Sequence, residues 1–134
     1  MSHYLLDTNA CSYVVRNYSS RLSLRFASTA LEMMKISVIS EAELLFGLER
    51  RPEAHVLAIS VHALLRKIAI LPWTSAAAEY YATVRADLER TGQPMDDMDI
   101  MIAAHVLAED CVLVTNDAAF RRIEGLKIED WTAG

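Results

Sequence analysis

The sequence predicts a three-layer α/β/α fold with a mainly parallel central sheet. Two observations carry this. Short apolar or β-branched runs alternate with longer helical stretches from one end of the chain to the other, the pattern of βαβ units. No repeat, linker or low-complexity tract interrupts that alternation over 134 residues, so a single domain spanning 1–134 is expected.

The elements follow in order. Tyr4-Leu5-Leu6 is a short apolar run ending at Asp7-Thr8-Asn9, a buried strand followed by a helix cap. Residues 9–17 and about 20–33 are expected to be helical. Lys35-Ile36-Ser37-Val38-Ile39 is rich in β-branched side chains and predicts a second strand. Ser40 is then expected to cap a helix running to about Arg51, where Pro52 stops it. Apolar positions at 56, 57, 59, 61, 64 and 65 predict a helix over 53–67, and 68–73 reads as a third strand. A helix over 75–90 is ended by Thr91-Gly92-Gln93-Pro94. The helix over 96–109 is apolar from 100 to 108 except at His105, so it is expected to be buried on most faces. A strand over 111–115, a short helix over 117–123 and a last strand over 127–131 complete the chain.

Composition narrows the function. A chain that is 53% hydrophobic can bury a core and is not disordered. Eighteen acids against 13 bases give a formal charge of −5, which excludes nucleic-acid binding carried by bulk charge. An RNA ligand would need bases gathered locally, or a metal to screen the acids. Cys11 and Cys111 have no spacing that makes a zinc site or a disulfide framework, so both are expected to be reduced and buried. No apolar run approaches the ~18 residues of a membrane span, and the start lacks a signal-peptide pattern. A cytoplasmic protein without membrane association is expected.

In an open parallel sheet, ligands bind beyond the carboxyl ends of the strands. Asp7 follows the first expected strand, Glu43 follows the second, and Asp117 follows the strand over 111–115, so one sheet edge collects all three. Asp99 opens the helix that precedes that strand. Each acid also has a structural reading. Ser40-Glu41-Ala42-Glu43 fits a capping box, Asp96-Asp97-Met98-Asp99 fits a helix start favoured by the dipole, and Asp7 and Asp117 can cap their helices. Taken jointly, converging carboxylates repel unless a cation lies among them, and hard oxygen ligands suit Mg²⁺ or Mn²⁺. The chemistry reached this way is metal-assisted phosphoryl hydrolysis.

Five segments together resemble the PIN-domain ribonucleases, specifically the VapC toxins of bacterial toxin–antitoxin pairs. They are Leu6-Asp7-Thr8-Asn9, Ile36-Ser37 through Glu43-Leu44-Leu45-Phe46-Gly47, Asp99-Ile100-Met101-Ile102-Ala103-Ala104-His105, Val114-Thr115-Asn116-Asp117 with Phe120, and Ile128-Glu129-Asp130-Trp131. The resemblance implies a Rossmann-like PIN fold and a Mg²⁺- or Mn²⁺-dependent endoribonuclease. It implies Asp7, Glu43 and Asp99 as core metal ligands, with Asp117 as the fourth and most variable acid. Thr8 and Asn9 would sit beside the metal, and Thr115, with its neighbour Asn116, would orient an acid or a water. Asp96 and Asp97 are candidate supporting acids, with a solvated helix start as the alternative. The resemblance further implies a homodimer, and inhibition by a cognate VapB antitoxin through which promoter DNA would be bound. Relatives with the Ile-Glu-Asp-Trp ending point to the anticodon loop of initiator tRNA as an RNA target. The alternative is a non-catalytic PIN-like module acting in an antitoxin/DNA-binding repressor complex. A haloacid-dehalogenase-like phosphatase fits poorly, because Asn9 stands where that family needs a second Asp. A phosphoryl-receiver domain lacks its Lys after the late strand.

Among the other residues, His3, His55, His62 and His105 share no metal-ligand spacing. Arg16, Arg21, Arg25, Arg50, Arg51, Arg121 and Arg122 are candidate phosphate contacts, with ordinary solvated positions as the alternative. Leu44, Leu45, Leu48, Val56, Leu57 and Ile59 are expected to divide between the core and a dimer or antitoxin interface.

Overall fold

The computed structural model describes residues 3–133. Five strands form one sheet in the order β3-β2-β1-β4-β5: β1 (Tyr4–Leu6), β2 (Met34–Ser37), β3 (Ala69–Leu71), β4 (Val112–Val114) and β5 (Ile128–Glu129). Every pairing is parallel, with Tyr4 opposite both Met34 and Val112, and Leu6 opposite both Ile36 and Val114. Six α-helices connect the strands: α1 (Thr8–Arg16), α2 (Ser20–Ser28), α3 (Val38–Glu49), α4 (His55–Lys67), α5 (Ser75–Arg90) and α6 (Asp97–Glu109).

The central strands are apolar on both faces because each face is roofed by helices. Alternation along β1 and β4 sends Leu5 and Leu113 into a core with Val84 and Leu88 of α5 and Ile102, Ala103 and Val106 of α6. It sends Leu6 and Val114 to the opposite face, with Cys11 of α1, Leu22 of α2, Leu44 of α3, Val61 and Leu64 of α4, and Trp131. Both cysteines are free and buried, as expected. Burial pushes the Cys111 thiol up to about 11 and the Cys11 thiol further, so neither is a nucleophile at neutral pH. Among the described residues no helix is long and apolar enough to cross a membrane.

Several boundaries differ from the sequence expectation, each for a local reason. β2 stops at Ser37, whose Oγ accepts the Ile39 N–H at 3.1 Å, so Ser37 rather than Ser40 caps α3. Two β-branched residues in a first turn cost a few tenths of a kcal/mol, and burial of Ile39 outweighs that. α2 ends at Ser28, not near 33. The Ser28 and Thr29 hydroxyls both donate to the Arg25 carbonyl (3.1 and 2.6 Å), diverting it from the helix ladder, and a 3₁₀ turn over Leu31–Met33 follows. The expected helix over 117–123 is a 3₁₀ segment, Ala118–Arg122, and the third and last strands are shorter than expected. Helix α5 closes at Gly92, whose φ of +68° suits glycine.

Candidate functional site

The chain leaves β1 for β2 on one side of it, and β4 later pairs on the other. The carboxyl ends of β1 and β4 therefore form the topological switch point of the sheet. Asp7 is the first residue beyond β1 and Asp117 lies just beyond β4. Asp7 is buried, at 4% exposure. Its Oδ1 accepts the Ala10 N–H at 2.7 Å, so the capping role expected for it is real. Asp117 likewise caps its 3₁₀ segment through Ala119 N–H (2.9 Å). In both cases one carboxylate oxygen is spent on the cap and the second remains for another partner.

Glu43 is half-buried and lies in the second turn of α3, not at its start. The Ser40–Glu43 capping box is therefore overturned: Ser40 is buried inside the helix, and Glu43 caps nothing there. Instead the Thr8 hydroxyl donates to Glu43 Oε1 and sits 3.0 Å from Ser40 Oγ. With one proton to give, Thr8 donates to the carboxylate and accepts from Ser40. The sequence did not single out Ser40 for this role, because reading it as a cap placed it outside the helix.

Thr115 is buried beside two acids: its Oγ1 accepts the Asp117 N–H at 3.0 Å, and its hydroxyl lies near enough to Asp7 to favour the charged carboxylate. Asp99, half-buried in the first turn of α6, accepts no hydrogen bond from the described residues. Burial lifts Asp7 from 3.8 to about 6 against the Thr115 and Ala10 hydrogen bonds, with Asp117 and Glu43 raising it further. Asp99 is also raised to about 6, first by burial and then by Asp96, Glu43, Asp117 and Asp7. Asp7 thus feels the charge of Asp117 and Glu43, and Asp99 feels that of the other three acids expected from the sequence.

The supporting residues divide. Asp96 is exposed but close enough to raise Asp99. Asp97 is engaged elsewhere, 3.4 Å from Arg85 and accepting from Tyr81 Oη at 3.2 Å, so its expected place beside the acids is not observed. Asn116 is exposed and directs Nδ2 to Tyr13 Oη (3.4 Å), and Asn9 is exposed in the first turn of α1. His105 proves to be a structural joint. It is fully buried on α6, with Nδ1 2.7 Å from Ser37 Oγ. Ser37 Oγ also accepts the Ile39 N–H, so one hydroxyl serves both the α3 cap and the imidazole. Nε2 has no hydrogen-bond partner among the described residues, and burial holds the imidazole pKa below its ordinary value.

The donor set is all oxygen, which matches a hard divalent cation. Among the described residues no three His, Cys, Asp or Glu side chains close around a single point.

The PIN domain model matches residues 4–126. The tRNA(fMet)-specific endonuclease VapC of Shigella flexneri is 33% identical over 135 residues, spanning 98% of this chain and 100% of that protein. The tRNA(fMet)-specific endonuclease VapC of Salmonella typhimurium is 36% identical over 134 residues, spanning 98% of this chain and 99% of its own length. Among solved structures, DNA-bound VapBC from Salmonella typhimurium superposes with a TM-score of 0.90 at 33% identity, covering 98% of this chain and 99% of that one. VapBC2 from Rickettsia felis, bound to a promoter DNA fragment, superposes at 0.85 with 29% identity over 94% and 96% of the two chains. Matched in sequence and in fold over nearly its whole length, this chain belongs to the PIN-domain family, in its VapC branch.

Proposed function

We propose that this chain is a Mg²⁺- or Mn²⁺-dependent endoribonuclease toxin, with Asp7, Glu43, Asp99 and Asp117 as its metal-holding and catalytic acids. The observation that carries the reading is that Asp7 and Asp99 are held above the ordinary carboxylate range, first by burial and then by neighbouring acids that include Glu43 and Asp117, a cost that a bound cation would relieve. When bound, the cation supplies Lewis-acid activation of water and neutralises charge developing on a phosphodiester. The protein's own part is positional. Ala10 N–H and Thr115 fix the Asp7 carboxylate, Thr8 fixes Glu43, and Thr115 with Ala119 N–H fixes the loop and side chain of Asp117.

The names of the relatives support initiator tRNA as the substrate. The VapBC structures support a VapB-like antitoxin as partner, with promoter DNA reached only through it. We take the protein to act in the cytoplasm as a homodimer. Leu45, Val56 and Ile59 remain exposed for such contacts, whereas Leu44 is buried and Leu48 and Leu57 pack against the core. The test is cleavage of total cellular RNA by antitoxin-free protein, with Mg²⁺ or Mn²⁺ against EDTA and Asp7→Asn as control. Discrete, EDTA-sensitive products absent from the variant are expected, and their ends identify the target. Absence of cleavage by folded protein in either metal would shift the reading to a binding module of the repressor complex.

A further inference from the structure

Beside the acids, a cavity of about 260 Å³ opens between α1, α3 and α4. Thr8 and Glu43 line it, as do Arg16, Arg50 and Arg51. All three arginines are exposed, and among the described residues none lies within ion-pair distance of a carboxylate. Of the other arginines flagged in the sequence, Arg25 pairs with Glu129 and Arg122 donates to the Pro94 carbonyl, while Arg21 and Arg121 are exposed and do not line this cavity. Arg50 lies over the Phe46 ring, 5.7 Å from its centroid, which sets the guanidinium plane without consuming its donors. Gly47 also lines the cavity, in the interior of α3. Glycine is a poor helix former, and a Cβ there would meet nothing within 4 Å, so no packing within this chain requires it. The space a side chain would fill is left to whatever enters.

We propose that this cavity binds the RNA backbone next to the bond being cut, with Arg16, Arg50 and Arg51 each holding one of the phosphates that flank it. The proposal rests on the endoribonuclease reading and supplies what that reading lacks: a chain of charge −5 needs local cations to approach a polyanion past its own acids. An acidic protein segment is the competing occupant. The cavity's continuity with the acids favours RNA, since a backbone held there leads directly to the carboxylates proposed to cut it, whereas an acidic protein segment gains nothing from that adjacency.

The test is binding of a fluorescein-labelled single-stranded RNA to the Asp7→Asn protein in EDTA, across a salt series. Replacing Arg16, Arg50 and Arg51 together by Gln should lower the salt slope by about 2, at about 0.7 per contact. Each single substitution should weaken binding about fivefold at 0.1 M salt. The triple Lys variant should restore the slope, and Arg90→Gln should leave it unchanged. Gly47→Leu, which fills the cavity and favours the helix, should weaken binding while raising thermal stability. An unchanged slope in the folded triple-Gln variant overturns the proposal. An unchanged slope with lost binding of a VapB-like antitoxin assigns the cavity to that partner and equally overturns it. Arginine-dependent binding without cleavage by the unsubstituted protein would instead sink the nuclease reading and leave the cavity's role standing.

Discussion

Replacing Asp7 by Asn should make the metal-free protein more stable while abolishing its cleavage of RNA. The carboxyl is lifted from 3.8 to about 6 chiefly by burial, so the fold binds a proton more tightly than the unfolded chain does. Stability carried by such a group is present at low pH and is lost as pH rises from the unfolded value through the folded one. Above that window the charged Asp7 costs the fold about 3 kcal/mol, at about 1.36 kcal/mol per pH unit. Asparagine keeps an oxygen for the Ala10 N–H and a partner for Thr115, so the cap survives. After discounting for relaxation, a gain of roughly 1–3 kcal/mol is expected at about pH 7.5, or about 4–10 °C in Tm for a chain of this length. At about pH 5 the gain should shrink to roughly half, because the native carboxyl is then mostly protonated. The assay is thermal unfolding followed by circular dichroism at both pH values, in EDTA and in Mg²⁺. Mg²⁺ should raise the Tm of the unsubstituted protein and have little effect on the variant. A variant that melts lower than the parent in EDTA at about pH 7.5 would refute the reasoning, since Asp7 would then be stabilising as an anion.

Other outcomes follow from the same structure. Cleavage at sub-saturating Mg²⁺ should fall as pH drops through about 6, where Asp7 and Asp99 take up protons that compete with the cation. Raising Mg²⁺ should move that fall to lower pH in initial-rate profiles. Ser37→Ala removes the α3 cap and the buried hydrogen-bond partner of His105 Nδ1, and should cost about 1–3 kcal/mol in urea unfolding. Trp131→Ala should cost about 3–5 kcal/mol. That indole is 4% exposed, meets Tyr4 edge-on at 5.2 Å and lies under Arg25 at 4.8 Å. Thr115→Val should raise the Asp7 pKa further by withdrawing its hydroxyl, read by NMR titration of the Asp7 carboxyl carbon.

Much of this was legible in the sequence because it depends on short-range patterns. Short apolar or β-branched runs over 4–6, 35–39 and 111–115 located β1, β2 and β4, and the parallel topology then carried Asp7 and Asp117 to one edge. Glu43 was placed at that edge by topology, and its alternative reading as a capping-box residue does not hold. Its helix begins three residues earlier than expected, which takes it out of a cap and turns it toward Thr8. What the sequence could not give were contacts between residues distant in the chain. The Thr8–Ser40–Glu43 group spans 35 positions, and the Ser37–His105 joint spans 68. Both depend on how two helices settle on the sheet, which periodicity does not encode. Asp97 shows the reverse limit: its spacing suits the acid group, but Arg85 on the neighbouring helix claims it.

The sheet's two borders have a bearing on how other chains can attach. The outermost strands, β3 and β5, are only three and two residues long. So little free backbone at either border gives an incoming polypeptide almost no ladder to extend, and the same brevity guards the protein against sheet-to-sheet aggregation. A binding partner must therefore read side chains on the helical layers, and its specificity will follow the residues exposed there rather than any main-chain pairing.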